Sequence, residues 1–178
     1  MLADPRRSRV VLINLTRGEQ ANMPVEFVAR RRASLSLLPL CKEVFDVPPL
    51  AVGEYEPRQI SDEVAGSIVP LDIDCLCVWH DQHFMASLAA SNIGVVFLGG
   101  VWLEEEVFVT ALKGVRLGYD VRVLTDLSVA RVEADRSLVL DRLALHGVLA
   151  TTLRQTLLEW AMCLDDRVLI ERVRQLLV

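Results

Sequence analysis

The chain has no excess of basic charge: 19 Lys and Arg stand against 24 Asp and Glu, for a formal net charge of -5. Nucleic-acid binding needs a positive footprint, and the arginine-rich pieces (Arg6, Arg7 and Arg9; Arg30, Arg31 and Arg32) are too short to provide one. Long apolar runs are also missing. None approaches the roughly 18 residues a membrane-spanning helix requires, and the start, MLADPRRSRVVLINL, holds no apolar stretch ahead of a small-residue cleavage site. Neither nucleic acid nor a membrane is expected as partner, and the expected location is cytoplasmic. The few cysteines, Cys41, Cys75, Cys77 and Cys163, lie in apolar surroundings without C-x-x-C spacing, which argues against a disulfide framework or structural zinc and for buried, reduced thiols. His80 and His83 are three apart with His146 far away and no evident third ligand, so no metal is expected, nor any cofactor. Internal repeats and low-complexity segments are absent.

What is present is an apolar chain. With 178 residues and 52% hydrophobic content, it is long enough to bury one core, so residues 1–178 are expected to form a single domain with the first eight or so residues flexible. Its mean hydropathy of +0.36 is high for a monomer. Surplus apolar surface of that kind ends in subunit contacts, which predicts a homo-oligomer.

Short β-branched runs alternate with helical patterns along the chain. VVLINL, Val10 to Leu15, reads as a strand buried on both faces. Met23 to Phe45 has helical spacing interrupted by Pro39, where a kink or a division into two helices is expected, and Val47-Pro48-Pro49 stops it. Leu50 to Val52 follows as a second strand, and Glu54 to Leu71, with its glycines and prolines, as a loop. Ile73 to Trp79 is read as the third strand, Phe84 to Ser91 as a short helix, and Val95 to Leu98 as the fourth strand. Glu104 to Leu117 is predicted helical, with Leu103, Val107, Ala111 and Val115 on one face and Gly118 as its stop. Val121 to Leu124 is the fifth strand. Helices follow at Asp135 to Leu145, Thr152 to Leu164 and Asp166 to Leu177, with a last strand at Val148 to Ala150. Right-handed crossovers between such strands give a parallel sheet covered on both sides. Ligands bind such sheets beyond the carboxyl ends of strands, where strand order reverses. Asn14, Trp79, His80 and the stretch from Val101 to Glu106 are therefore the site candidates.

GGVWLEEEVFVTALKGVRLGYDVRVLTDLSVAR resembles the signature of the isochorismatase-like cysteine hydrolases, matching at Gly100-Val101, Thr110-Ala111, Gly118-Tyr119 and Asp126. VWHDQHF, Val78 to Phe84, and DRLALHGVLATTLRQTLLEW, Asp141 to Trp160, are similar to segments of the YcaC-like subgroup. The resemblance runs from about residue 9 to 165. It implies a three-layer αβα fold, Rossmann-like, with a six-stranded sheet in the order 3-2-1-4-5-6, and a tetramer or octamer. It also implies a triad of Asp after strand one, Lys near strand three and Cys at the helix start after strand four. Those positions fall on Asn14, on about Asp72, and on Glu106. Asn14 cannot take a proton and Glu106 is no comparable nucleophile, so standard cysteine hydrolase chemistry is not expected. Of the cysteines, only Cys75 and Cys77 are candidates to face the pocket.

Two readings follow. In the first, the chain is a triad-less member, a catalytically degenerate protein that binds a small molecule or serves as an assembly subunit. In the second, Glu106 acts as general acid or base in place of the cysteine, in a hydrolase or lyase. Glu104 and Glu105 are explained as helix-start charges, each worth roughly 0.3–1 kcal/mol. Glu106 is expected inward, where it must be paired, hydrogen-bonded to Asn14 or backbone amides, or protonated. Asp72 and Asp74 read as strand-entry residues, with a pairing of one of them with Glu106 as the alternative. Trp79, His80 and Trp102 are candidate substrate contacts, the two tryptophans being pocket walls or core aromatics. The Val101-Trp102 bond falls where the family often has a cis peptide.

Overall fold

The computed structural model describes residues 2–17 and 24–177. Six parallel strands form one sheet in the order β3-β2-β1-β4-β5-β6, made of β1 (Ser8–Ile13), β2 (Leu50–Val52), β3 (Val69–Leu71), β4 (Val95–Val101), β5 (Asp120–Val129) and β6 (Leu149–Thr151). On β1, Val11 and Ile13 pack into one core with Trp79, Phe84, Leu88 and Ala111, while Val10 and Leu12 pack into another with Leu38, Phe45, Leu157 and Trp160. A continuous apolar run is what a strand with a core on each face requires.

The helices lie as the periodicity predicted, with instructive differences. α1 (Val25–Leu35) and α2 (Leu38–Phe45) divide the long pattern at Ser36 and Leu37. Pro39 stands in the first turn of α2, where its missing N–H has no partner to lose, so it starts a helix rather than kinking one. Met23, the expected start of the pattern, lies outside the described residues. The stretch expected to be a loop holds α3 (Asp62–Ser67) and the third strand itself. Ile73 to Trp79 is not a strand. Asp74 accepts from the N–H of Leu76 at 2.8 Å and caps a 3-10 helix, Cys75–His80, whose buried residues Cys75 and Val78 recur at its period of three. α4 (Gln82–Ala90), α6 (Arg136–Leu145), α7 (Leu153–Leu164) and α8 (Arg167–Leu176) follow the prediction closely.

Before the sheet, within the stretch expected to be flexible, Asp4 caps a 3-10 turn, Pro5–Arg7, and Ala3 is buried. At the other end of the central strands the register slips. β4 advances from Leu98 to Gly100 while β5 runs from its partner Val123 to Ser128. Arg136 clamps that bulge, donating to the carbonyls of Thr125 at 3.2 Å and Ser128 at 2.8 Å. No described helix is long and apolar enough to cross a membrane.

Candidate functional site

β1 and β4 are neighbours with crossovers leaving in opposite directions, so their carboxyl ends frame the crevice where such sheets bind ligands. Asn14 follows β1 in the left-handed region, φ 48°, a conformation asparagine tolerates better than most residues. Its side chain is buried and committed. Oδ1 accepts from the N–H of Glu54 at 2.9 Å, and Nδ2 donates to Sγ of Cys75 at 3.6 Å. Gly53, φ 76°, leaves the room that this side chain fills.

Across the crevice, β4 ends at Val101 and the chain enters a π turn, Leu103–Val107, before α5 (Phe108–Arg116); the Val101-Trp102 peptide is cis. Helical φ/ψ breaks at Glu105, so the predicted helix from Glu104 begins four residues later as α5. Glu104 and Glu105 do more than complement a dipole. Glu104 accepts from the N–H groups of Arg131 at 2.8 Å and Val132 at 3.2 Å, and Glu105 pairs with Arg131 Nε at 2.8 Å, which together fasten the loop after β5.

Glu106 turns to the crevice. Its partner is neither Asn14 nor a backbone amide but Arg17, whose guanidinium bridges Glu106 Oε1 at 2.5 Å and Glu54 Oε1 at 2.7 Å. Partial burial works against the charge on Arg17, but the hydrogen bonds to Glu106 and Glu54 outweigh it and hold the group above its ordinary value. Oε2 of Glu106 is buried with no hydrogen-bond partner. Asn14, Arg17, Glu54, Cys75 and Glu106 thus form one connected cluster.

The other predicted residues stand elsewhere. Asp72 is exposed just past β3, and among the described residues no hydrogen bond or ion pair joins it to Asn14 or Glu106. Asp74 is occupied as a cap. Trp79 is a core residue: its Nε1 donates to the carbonyl of Thr110 at 2.9 Å and its ring stacks on Tyr119 at 5.3 Å, because the 3-10 helix turns it under α5 rather than out at a strand end. His80 is exposed, and Trp102 is half-buried beneath Arg131, whose guanidinium lies 5.0 Å from the ring centroid. Among the described residues no three His, Cys, Asp or Glu side chains converge to hold a metal ion. Arg17 went unweighed in the sequence; its signal was a cation three residues beyond the strand-end Asn14.

Chemically, the cluster is poorly set for nucleophilic attack. Burial pushes the Cys75 thiol up, the negative charges of Glu106 and Asp74 push it further, and the amide of Asn14 offsets only part of this. Cys41, wholly buried, is pushed up to about 12. Alkylation by iodoacetamide at neutral pH, followed by peptide mass spectrometry, is therefore expected to modify exposed Cys77 first and to leave Cys41 and Cys75 unmodified until the protein is unfolded. Fast labelling of Cys75 in the native state would contradict that assignment.

No protein-family model and no curated protein matches the chain, but solved structures do. The YcaC protein of Escherichia coli, described as an octameric hydrolase of unknown specificity, superposes with a TM-score of 0.73 at 19% identity, over 97% of this chain and 89% of that one. YcaC from Pseudomonas aeruginosa, with hexane-2,5-diol and covalent acrylamide, gives 0.72 at 15% identity, over 96% and 89%. An isochorismatase-like hydrolase from Alkaliphilus metalliredigens gives 0.62 at 16% identity, over 86% and 99%. With its strand order of 3-2-1-4-5-6, the chain has the fold of the isochorismatase-like cysteine hydrolases.

Proposed function

We propose that this protein is a non-hydrolytic variant of the isochorismatase-like fold that binds a small molecule beyond the carboxyl ends of β1 and β4. The observation that carries the reading is the ion pair of Arg17 with Glu106. It ties the residue at the expected nucleophile position to the β1 loop, while Asn14, at the expected general-base position, spends its amide on Glu54 and Cys75. What replaces a base, a cation and a thiol is a neutral amide, an arginine from a different loop and a carboxylate. Such a cluster suits recognition of a polar ligand better than transfer of an acyl group.

The protein assembles as a homo-oligomer, a tetramer or octamer, in the cytoplasm. Leu138, Leu145 and Val168 are 61%, 85% and 80% exposed, apolar surface suited to subunit contacts, and the Escherichia coli neighbour is described as an octamer. Cys77, exposed and unpaired, suits a reducing compartment.

A second reading rests on Glu106 Oε2, buried without a partner, which a reacting group could approach as acid or base. One experiment separates the two. Ammonia release from aliphatic and aromatic amides, and hydrolysis of a cyclic enol ether, are expected to stay at the uncatalysed rates. Turnover that vanishes in Glu106→Gln assigns the reaction to the carboxyl group, and turnover that vanishes in Cys75→Ala assigns it to the thiol; either result overturns the non-hydrolytic reading.

A further inference from the structure

Between α1 and the segment 57–64 lies a cavity of about 470 Å³, lined by none of the residues of the Asn14–Glu106 cluster. Its polar wall is arginine: Arg31, Arg32 and Arg58 face it together with Ser61, and no Asp or Glu among the described residues lines it. Arg31 decides what the cavity is for. The residue is 8% exposed, its Nη2 donates to the carbonyl of Leu15 at 2.9 Å, and its Nε has no acceptor. Burial pulls it down to about 10, which still leaves it protonated at neutral pH. A buried guanidinium without a counter-charge is an unfavourable arrangement that native proteins resolve by pairing it. Among the described residues no carboxylate is supplied to it, and two further arginines on the same wall add to the charge.

We propose that this cavity binds a phosphate-bearing small molecule, its phosphoryl group held by Arg31, Arg32 and Arg58 and its apolar body resting on Leu35 and Val64. A phosphate monoester carries up to two negative charges and three acceptor oxygens, which three forked guanidiniums match better than they match a single carboxylate. The volume falls in the range of pockets for organic ligands and far exceeds that of a bare ion, so the phosphoryl group comes attached to a larger body. Because Arg31 also holds Leu15, next to Asn14, the same side chain reaches from this cavity to the loop of the β1 site.

The test compares phenyl phosphate with benzoate by calorimetric titration of the full chain, at constant ionic strength set with sodium chloride. Saturable binding of phenyl phosphate is expected, with benzoate weaker by about tenfold or more, the difference of one charge-assisted contact. Arg31→Met is expected to abolish binding. If that variant fails to fold, the double variant Arg32→Gln/Arg58→Gln, which alters two exposed side chains, is expected to weaken binding by at least about tenfold, while Arg116→Gln on α5 changes nothing. No saturable heat, equal affinity for benzoate, or an Arg32/Arg58 double variant that binds as the parent does overturns the proposal.

Discussion

Gly100→Ala is expected to remove about 4 kcal/mol or more of stability, a large part of what a domain of this kind possesses. Gly100 sits at φ 140° on β4, and a Cβ placed there would run into the backbone of Ile13, its partner on β1. Neither strand can retreat, because β2 lies against β1 and β5 against β4 on the outer sides. The obstacle is backbone rather than the end of a flexible side chain, so relaxation would have to break the pairing that brings Asn14 and Glu106 to the same crevice. Gly66 on α3 provides the control, since a Cβ there meets nothing and alanine is expected to stabilise by about 0.5–1 kcal/mol. Urea denaturation of both variants checks the pair, and a Gly100→Ala midpoint equal to the parent's would refute the account.

Trp160→Ala is expected to destabilise by about 3–5 kcal/mol, the range for emptying a large buried aromatic site. Trp160 is fully buried on α7 and meets Phe45 and Phe97 edge to face at centroid distances of 5.3 and 5.6 Å. It joins α2, α7 and the centre of the sheet, so the cavity left behind has walls on three elements that cannot collapse together. At roughly 2–4 °C per kcal/mol for a chain of this size, Tm is expected to fall by about 10 °C. Its Nε1 has no acceptor, so Trp160→Phe deletes an unsatisfied donor along with the volume and is expected to cost far less. Scanning calorimetry that found the two variants equally stable would show that packing is not the cause.

Five of the six strands and most of the helices were legible because the patterns behind them are local, whereas the strand order came from the family resemblance. Val10 to Ile13 on β1 is an unbroken apolar run, and α7 and α8 carry their stripes at helical spacing. The third strand was missed for a physical reason. Val69–Leu71 is short, half-exposed and contains a proline, whereas Ile73 to Trp79 is apolar enough to pass for a buried strand until Asp74 is seen as a cap. That one misreading sent Trp79 to a strand end when it belongs in the core. Asn14 and Glu106, expected after the first and fourth strands, do stand at one crevice, closing β1 and following β4. Arg17 was not, because it pairs with a residue 89 positions away, and ion pairs between loops leave no periodic trace.

β3 also constrains how copies of the chain can meet. Of its three residues, Pro70 has no N–H to give and Val69 spends its own on the carbonyl of Pro49 at 2.8 Å. At most one backbone donor, that of Leu71, is left on this margin of the sheet. A neighbouring molecule therefore finds at most one N–H there on which to continue the ladder, which disfavours strand-to-strand addition at this side of the fold.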